Sequence, residues 1–275
     1  MTLNFKKAYS NVFSLKYLWI YIFFAAAVAT LSSIFQSAKG IPYYKTISNL
    51  ISVFTYIPIG YLLIMVNNLL HDRELNDNNE TFLQNFWNSV KKGLKCFVGI
   101  FLNIIIVFLF SLIIALAFVW IFMAITHIEV NANNITSFPF LKIVLGLIAT
   151  AFIICMLFIL KLLPVAYADN FSLKAMFCWK KVFKEFFQKE IFKKTLAILG
   201  IYIAVELIIF LIMFLMLFSF NIALIFIIKN LLLNHYVIAA LLINLSNVIV
   251  PFLGAIAHFI LISIIYNMLA DVYKK

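Results

Sequence analysis

The chain of 275 residues is too apolar for a water-soluble domain, since 66% of its residues are hydrophobic, 11% are charged and its mean hydropathy is +1.11. Soluble domains carry about 25% charged residues. The formal net charge of +11 could indicate a nucleic-acid-binding protein, but the lysines lie between apolar runs, where they orient a membrane protein. Composition therefore predicts an integral membrane protein and argues against binding of nucleic acid.

The apolar runs predict six membrane spans, since a helix needs about 20 apolar residues to cross a bilayer. In chain order the predicted spans cover residues 17–35, 47–70, 96–126, 138–163, 195–218 and 237–269. Pro58 and Gly60 predict a kink in the second span, Pro164 the end of the fourth and Pro251 a bend in the sixth. The segment 221–234 is too short to cross alone. It is compatible with an extension of the fifth span, an interfacial helix or a re-entrant segment.

Basic amphipathic stretches precede three of these spans, at residues 4–16, 81–95 and 172–194. Their apolar side chains recur at helical spacing, and Thr81 has the position of a helix N-cap. The third stretch belongs to the longest polar interruption of the sequence, residues 162–195, which we call the collar. Its composition is typical of a helix lying on an anionic membrane surface. The predicted lipid contacts are Lys174, Trp179, Lys180, Lys181, Lys184 and Lys189.

The distribution of basic residues predicts the orientation in the membrane. All but four of the 21 Lys and Arg residues fall on the side of the N-terminus in the six-span scheme. The four on the other side are Lys39, Lys45, Lys142 and Lys229. Because basic residues are retained in the cytosol, we expect a multi-pass protein of the cell (inner) membrane with both termini cytosolic.

An internal repeat is one interpretation of this order. Residues 4–72, 81–169 and 172–271 each combine a basic lead-in, an outgoing span, an outer loop and a returning span that ends at an acidic residue. The alternative is that charged loops follow the helices of any multispanning protein. The predicted fold is all-α: one membrane domain over residues 1–275, a polytopic transmembrane helical bundle of six spans with amphipathic cytosolic interfacial helices. The repeat predicts that the six spans pair as three hairpins.

Two short motifs carry a resemblance to a known group. Leu163-Pro164-x-Ala166-Tyr167-x-Asp169 is followed by Ser172-Leu173-Lys174-Ala175-x-Phe177, an amphipathic helix and a long span. This order resembles a broad group of poorly characterised six-span prokaryotic membrane proteins, similar to the membrane domain of some glycerophosphoryl diester phosphodiesterases. The resemblance implies an architecture of helical hairpins and supplies no catalytic residues. No hydrophilic stretch of these 275 residues has the size of the soluble phosphodiesterase domain.

The candidate intramembrane polar site consists of Glu206, His258, Asn247 and Asn244. Glu206 lies near the middle of the fifth span, where a charge costs about 2.5 to 3.5 kcal/mol on insertion scales. His258 lies at a comparable depth in the sixth span, which also carries both asparagines. One interpretation is a pair that relays protons or binds a cation or a polar headgroup. The other is a protonated Glu206 that hydrogen-bonds a neighbouring helix.

Motifs for enzymatic chemistry do not occur in the sequence. It contains no GxxxxGK[ST], HExxH or GxSxG, so we predict no catalytic residue, metal ligand or cofactor. Cys96, Cys155 and Cys178 have no metal-binding spacing and are expected to be free thiols. We therefore expect a non-enzymatic protein of membrane or envelope organisation, acting through anionic membrane lipids, a protein partner or a homo-oligomer. The alternative is a small transporter or permease-like subunit that uses the polar intramembrane site.

Overall fold

A computed structural model describes residues 4–37, 42–75, 80–126, 138–230 and 236–274. Over these ranges the chain forms ten α-helices and no strand, which confirms the predicted all-α class. The helices are α1 (Phe5–Phe13), α2 (Leu18–Ser37), α3 (Tyr44–Val53), α4 (Tyr56–Leu70), α5 (Phe82–Thr126), α6 (Pro139–Asn170), α7 (Leu173–Phe177), α8 (Trp179–Phe186), α9 (Lys189–Asn230) and α10 (Tyr236–Tyr273).

Six helical segments of this part of the chain are long and apolar enough to cross a membrane. They are Leu18–Ser37, Tyr44–Leu70, Phe82–Thr126, Pro139–Asn170, Lys189–Ala223 and Val248–Tyr273. The second combines α3 and α4. A helix pairs most of its backbone groups within itself, as a span in lipid must. The prediction of a polytopic helical membrane protein is therefore confirmed, whereas the kind of membrane and the side of the termini stay predictions.

Of the three spans with an internal proline, one is interrupted near the proline and two continue through it. The second span breaks at Phe54 and Thr55, a few residues before the predicted kink at Pro58 and Gly60. Pro58 has no N–H to donate to the Phe54 carbonyl, which accepts instead from the Ile57 N–H at 3.1 Å. The fourth span was predicted to end at Pro164, but its helix α6 continues through this proline to Asn170. A helix in hydrocarbon loses less by missing one hydrogen bond than by exposing several backbone groups. Helix α10 likewise runs without interruption across Pro251.

The lead-in stretches are joined to their spans in three different ways. A turn separates α1 from α2, whereas α5 is one helix of 45 residues that contains both the second lead-in and the third span. The collar contains two short helices, α7 and α8, before α9 begins. Helix α9 extends to Asn230, so residues 221–230 prolong the fifth span. Residues 231–234 lie outside the described residues.

The predicted N-cap at Thr81 is confirmed by a reciprocal pair of hydrogen bonds. The Thr81 hydroxyl accepts from the Gln84 N–H at 3.4 Å, and the Gln84 side chain accepts from the Thr81 N–H at 3.1 Å. This arrangement is a capping box, in which two side chains satisfy two backbone donors at the start of a helix. It fixes the point at which the long helix α5 begins.

The chain divides into two compact units, Met1–Leu94 with Phe183–Lys275, and Lys95–Val182. In the first unit α10 packs against α1, α2, α4 and α9. In the second unit α6 packs against α7. These boundaries do not coincide with the three proposed repeats, and the repeat stays a prediction.

Helices α4 and α5 approach each other backbone to backbone in the first unit. A Cβ atom on Gly93 would lie 1.8 Å from the Tyr56 carbonyl oxygen, and one on Gly60 would lie 2.0 Å from the Ser89 carbonyl oxygen. No side chain fits at either position, since glycine is what permits so close a crossing. Gly60 therefore serves a helix contact that the sequence interpretation, which assigned it to a kink, did not predict.

Candidate lipid-facing and intramembrane sites

The collar helices are anchored to α5 within the second unit. The Trp179 indole N–H donates to the side-chain oxygen of Asn103 at 2.6 Å, and the side-chain amide of Asn103 donates to the Gly99 backbone carbonyl at 2.8 Å. Met176 is fully buried, and its sulfur would lie 2.3 Å from a Cβ atom on Gly99. One side of α7 and α8 is therefore fixed to the protein by Met176 and Trp179.

Five lysines of the collar that were predicted as lipid contacts are exposed. These five residues, which we call the collar lysines, are Lys174, Lys180, Lys181, Lys184 and Lys189. Each ammonium group offers three hydrogen-bond donors and one positive charge to a phosphate. Trp179, also predicted as a lipid contact, is half-buried and uses its N–H inside the protein. The structure thus separates an anchoring tryptophan from lysines that are free to meet a charged surface.

The structure brings Glu206 and His258 together across α9 and α10 in the first unit. The His258 Nδ1 atom and the Glu206 Oε1 atom form a hydrogen bond. Tyr202, one helical turn before Glu206, hydrogen-bonds the same carboxylate. The side chains of Asn244 and Asn247 lie outside the described residues. We refer to Glu206 and His258 as the intramembrane pair.

The intramembrane pair lies about halfway through its two spans. Glu206 follows Lys194 by about 18 Å at the helical rise of 1.5 Å per residue, and His258 precedes Asp271 by about 20 Å. The hydrocarbon core of a bilayer is about 30 Å thick. At this depth, 26% of the Glu206 side chain and 47% of the His258 side chain are accessible. The pair is therefore only partly enclosed by its own chain.

A second polar cluster, which the sequence interpretation missed, joins α2, α4 and α5 at the lysine-rich side of the first unit. Tyr21 donates to the Asn85 side-chain oxygen at 2.8 Å, and the Asn85 amide donates to the Glu80 carboxylate at 2.9 Å. Ser89 lies 3.0 Å from the Tyr21 hydroxyl, and the Tyr61 ring stacks on Tyr21 with 4.2 Å between centroids. We call these five residues the tyrosine network.

Four of the five residues of the tyrosine network are buried, Glu80 is half-buried, and the network adjoins a small cavity. Tyr21, Asn85, Ser89 and Tyr61 are each at most 5% exposed. The cavity beside Tyr61 and Glu80 has a volume of about 30 Å³, which is room for one or two water molecules. A signal was present in the sequence, since Asn85 and Ser89 are spaced four residues apart on one face of a lead-in helix. Their partner Tyr21 is 64 residues from Asn85, so the pattern alone could not identify it.

Charged and polar contacts also involve the first and last helices of the chain. Lys7 on α1 pairs with Asp271 on α10 at 3.4 Å, and Lys274 pairs with Asp72 at the end of α4. Asn11 lies 3.5 Å from the side-chain oxygen of Asn267. Two of the three acidic residues that end the returning spans therefore pair with lysines of the termini. Among the residues with described coordinates, no group of three His, Cys, Asp or Glu could hold a metal ion.

Comparisons of the chain with protein-family models, curated proteins and solved structures find no match. The resemblance to the membrane domain of glycerophosphoryl diester phosphodiesterases therefore stays a prediction.

Proposed function

We propose that this chain is a non-enzymatic membrane protein that gathers anionic phospholipids around its lysine-rich side and so organises the surrounding membrane. The observation that carries the proposal is that the collar has one side packed on the protein and another side of exposed lysines. Met176 and Trp179 hold α7 and α8 against the protein, and all five collar lysines are exposed. The charge of Lys174, Lys180 and Lys181 is therefore held at a fixed place relative to α5 within the second unit.

The expected strength follows from the number of lysines. Each lysine near an anionic membrane surface contributes about 1 kcal/mol. Two lysines therefore raise the local preference for an anionic over a neutral lipid by about thirtyfold. Salt weakens this preference, because the Debye length falls from about 30 Å at 0.01 M to about 8 Å at 0.15 M.

The location that fits this function is the cell (inner) membrane with the collar on the cytosolic side. The proposal is supported by the bias of basic residues toward one side of the spans, where the cytoplasmic leaflet supplies anionic lipids. The partners are then phospholipid headgroups, recognised by the charge of their phosphates and not by a specific pocket.

Reconstitution of the full chain in liposomes tests the proposal. The bilayers consist of phosphatidylcholine with a minor fraction of fluorescent phosphatidylglycerol, and the quantity measured is enrichment of the fluorescent lipid next to the protein. The double variant Lys180→Gln/Lys184→Gln should reduce enrichment by about tenfold or more. Its matched control is Lys45→Gln/Lys142→Gln, which removes two exposed charges from the predicted opposite side.

The control decides between local and general effects. Enrichment that stays near the wild-type value in the control, and that falls with salt in the wild type, supports the proposal. Equal losses in both double variants, or no enrichment around the wild type, would show that the collar does not gather anionic lipid.

A second candidate function is supported by the intramembrane pair. Glu206 and His258 form an acid and base pair in the middle of two spans, which fits a small transporter or permease-like subunit that carries protons. The test is proton flux into liposomes under a pH gradient. Glu206→Gln should abolish a flux that the wild type shows, and absence of flux in the wild type removes this candidate.

A further inference from the structure

We propose that the intramembrane pair is one half of a two-fold interface with a second copy of this chain. In this interface Glu206 of each copy meets His258 of the other, and the apolar flanks of the two α9 helices pack together. The inference uses neither the collar lysines nor lipid charge, so it stands or falls separately from the proposed function.

The first step is that the exposed part of the pair requires a polar cover. Glu206 and His258 are 26% and 47% accessible about halfway through the hydrocarbon core. Acyl chains cover apolar side chains well, but they offer no hydrogen bonds to a carboxylate or an imidazole. A protein surface with polar groups at the same depth removes this cost.

The second step is the surface beside the pair. At 100° per residue, the side chains of Ile203, Leu207, Phe210 and Phe214 lie about 40° to 100° round α9 from Glu206. All four are exposed, with Leu207 at 63%. Their spacing of four, three and four residues is that of a seam between two packed helices. The polar pair therefore lies at the edge of an apolar helix face suited to another helix.

The third step identifies the occupant as a second copy. Two copies inserted in the same orientation are related by an axis along the membrane normal, so each residue meets the other chain at its own depth. Glu206 and His258 already share one depth, because they pair within the chain. The patch carries both an acid and a base, and a two-fold rotation places the acid of one copy opposite the base of the other. The patch is thus complementary in charge to itself.

Cysteine cross-linking in liposomes at low protein density tests the interface. The three native cysteines are first replaced, and Leu207→Cys is introduced. The control is Leu109→Cys on α5, a residue of the same type that is 49% exposed and about 21 Å beyond Lys95, against about 20 Å from Lys194 to Leu207. The dimer band should form with Leu207→Cys and be at least about tenfold weaker with Leu109→Cys.

Mixing two single variants shows whether the acid and base pair between chains. Both variants carry Leu207→Cys, and one adds Glu206→Gln whereas the other adds His258→Gln. Each variant alone has lost the pair, but a mixed dimer retains one Glu206 opposite one His258. We expect about tenfold more cross-linked mixed dimer than either homodimer, measured with two affinity tags of different mass.

Each outcome of the mixing experiment decides the proposal. Preferential mixed dimers support it, and unchanged elution and thermal unfolding of the separate variants exclude misfolding as the cause of weak homodimers. Random mixing, a dimer band equal at Leu109→Cys and Leu207→Cys, or a wild-type chain that stays monomeric in the bilayer overturns it. Proton flux in the same liposomes is not predicted to change the cross-linking result.

Discussion

Two polar clusters in the first unit differ in how completely the fold surrounds them. The tyrosine network draws side chains from α2, α4, α5 and Glu80, two residues before α5, and its Tyr21 and Ser89 are almost fully buried. The intramembrane pair joins α9 and α10 only, and both of its side chains remain partly accessible. Buried polar groups that satisfy one another hold helices in place, whereas partly exposed groups are available to something outside the chain.

The difference teaches that polarity within a span does not by itself indicate function. Both clusters contain a carboxylate, but only Glu206 lies within a span, where a charge is costly, since Glu80 precedes α5. Both carboxylates are half-buried, and their neighbours separate the clusters: Glu80 accepts from the amide of Asn85, which is 5% exposed, whereas Glu206 hydrogen-bonds His258, of which 47% is accessible. The first cluster is therefore expected to contribute to stability, and recognition by the second stays a proposal.

The largest effect expected on the first cluster comes from the helix crossing that positions it. Gly93→Ala places a methyl group 1.8 Å from the Tyr56 carbonyl oxygen, so α4 and α5 must separate. We expect a loss of about 3 kcal/mol or more in the free energy of unfolding, measured by titration with denaturing detergent in micelles. Gly200→Ala is the control, because its Cβ has nothing within 4 Å. An equal loss in both variants would contradict the close crossing.

A smaller effect is expected when one donor leaves the tyrosine network. Tyr21→Phe leaves the Asn85 side-chain oxygen without the hydrogen bond from the tyrosine, in a buried environment. The free energy of unfolding should fall by about 1 to 3 kcal/mol. Tyr9→Phe, on an exposed ring of α1, removes the same hydroxyl as a control and should change stability by less than about 0.5 kcal/mol. Matching values for the two would mean that the network does not stabilise the fold.

The intramembrane pair should matter less for stability than the network does. Glu206→Gln combined with His258→Gln removes one interhelical pair, and such pairs contribute about 0.6 kcal/mol on average in membrane proteins. The measurement is a double-mutant cycle on unfolding in micelles at a protein concentration where the chain is monomeric. A coupling energy above about 2 kcal/mol would place the pair with the tyrosine network as a structural element.

The smallest effect is expected at the contacts between the chain ends. Lys7 and Asp271 are each more than half exposed, and exposed ion pairs contribute about 0.2 to 1 kcal/mol. Lys7→Gln should therefore lower the free energy of unfolding by about 0.5 kcal/mol at low salt and by less at high salt. Lys6→Gln, its neighbour on α1, is the control for loss of charge alone. A large, salt-independent loss would contradict the interpretation of this contact as a weak surface ion pair.

The sequence could predict those features that depend on neighbouring residues. Apolar runs gave the six spans, Thr81 gave the start of α5, and Pro58 gave the break before α4, since length, capping and a missing N–H act within one helix. The continuation of α6 through Pro164 was not predicted, because it depends on the environment of the helix more than on the proline. The shared depth of Glu206 and His258 suggested a pair that the structure then brings together.

By itself, the sequence determined that this is an all-helical membrane protein with charges concentrated at the ends of its spans, because hydrophobic length and lysine placement are written along the chain. Only the tertiary structure decided which polar groups are enclosed. The contact of Gly60 and Gly93 with the opposite helix and the pairing of Tyr21 with Asn85 join residues far apart in the chain. Their partners are selected by how the helices cross, and helical periodicity does not specify that crossing.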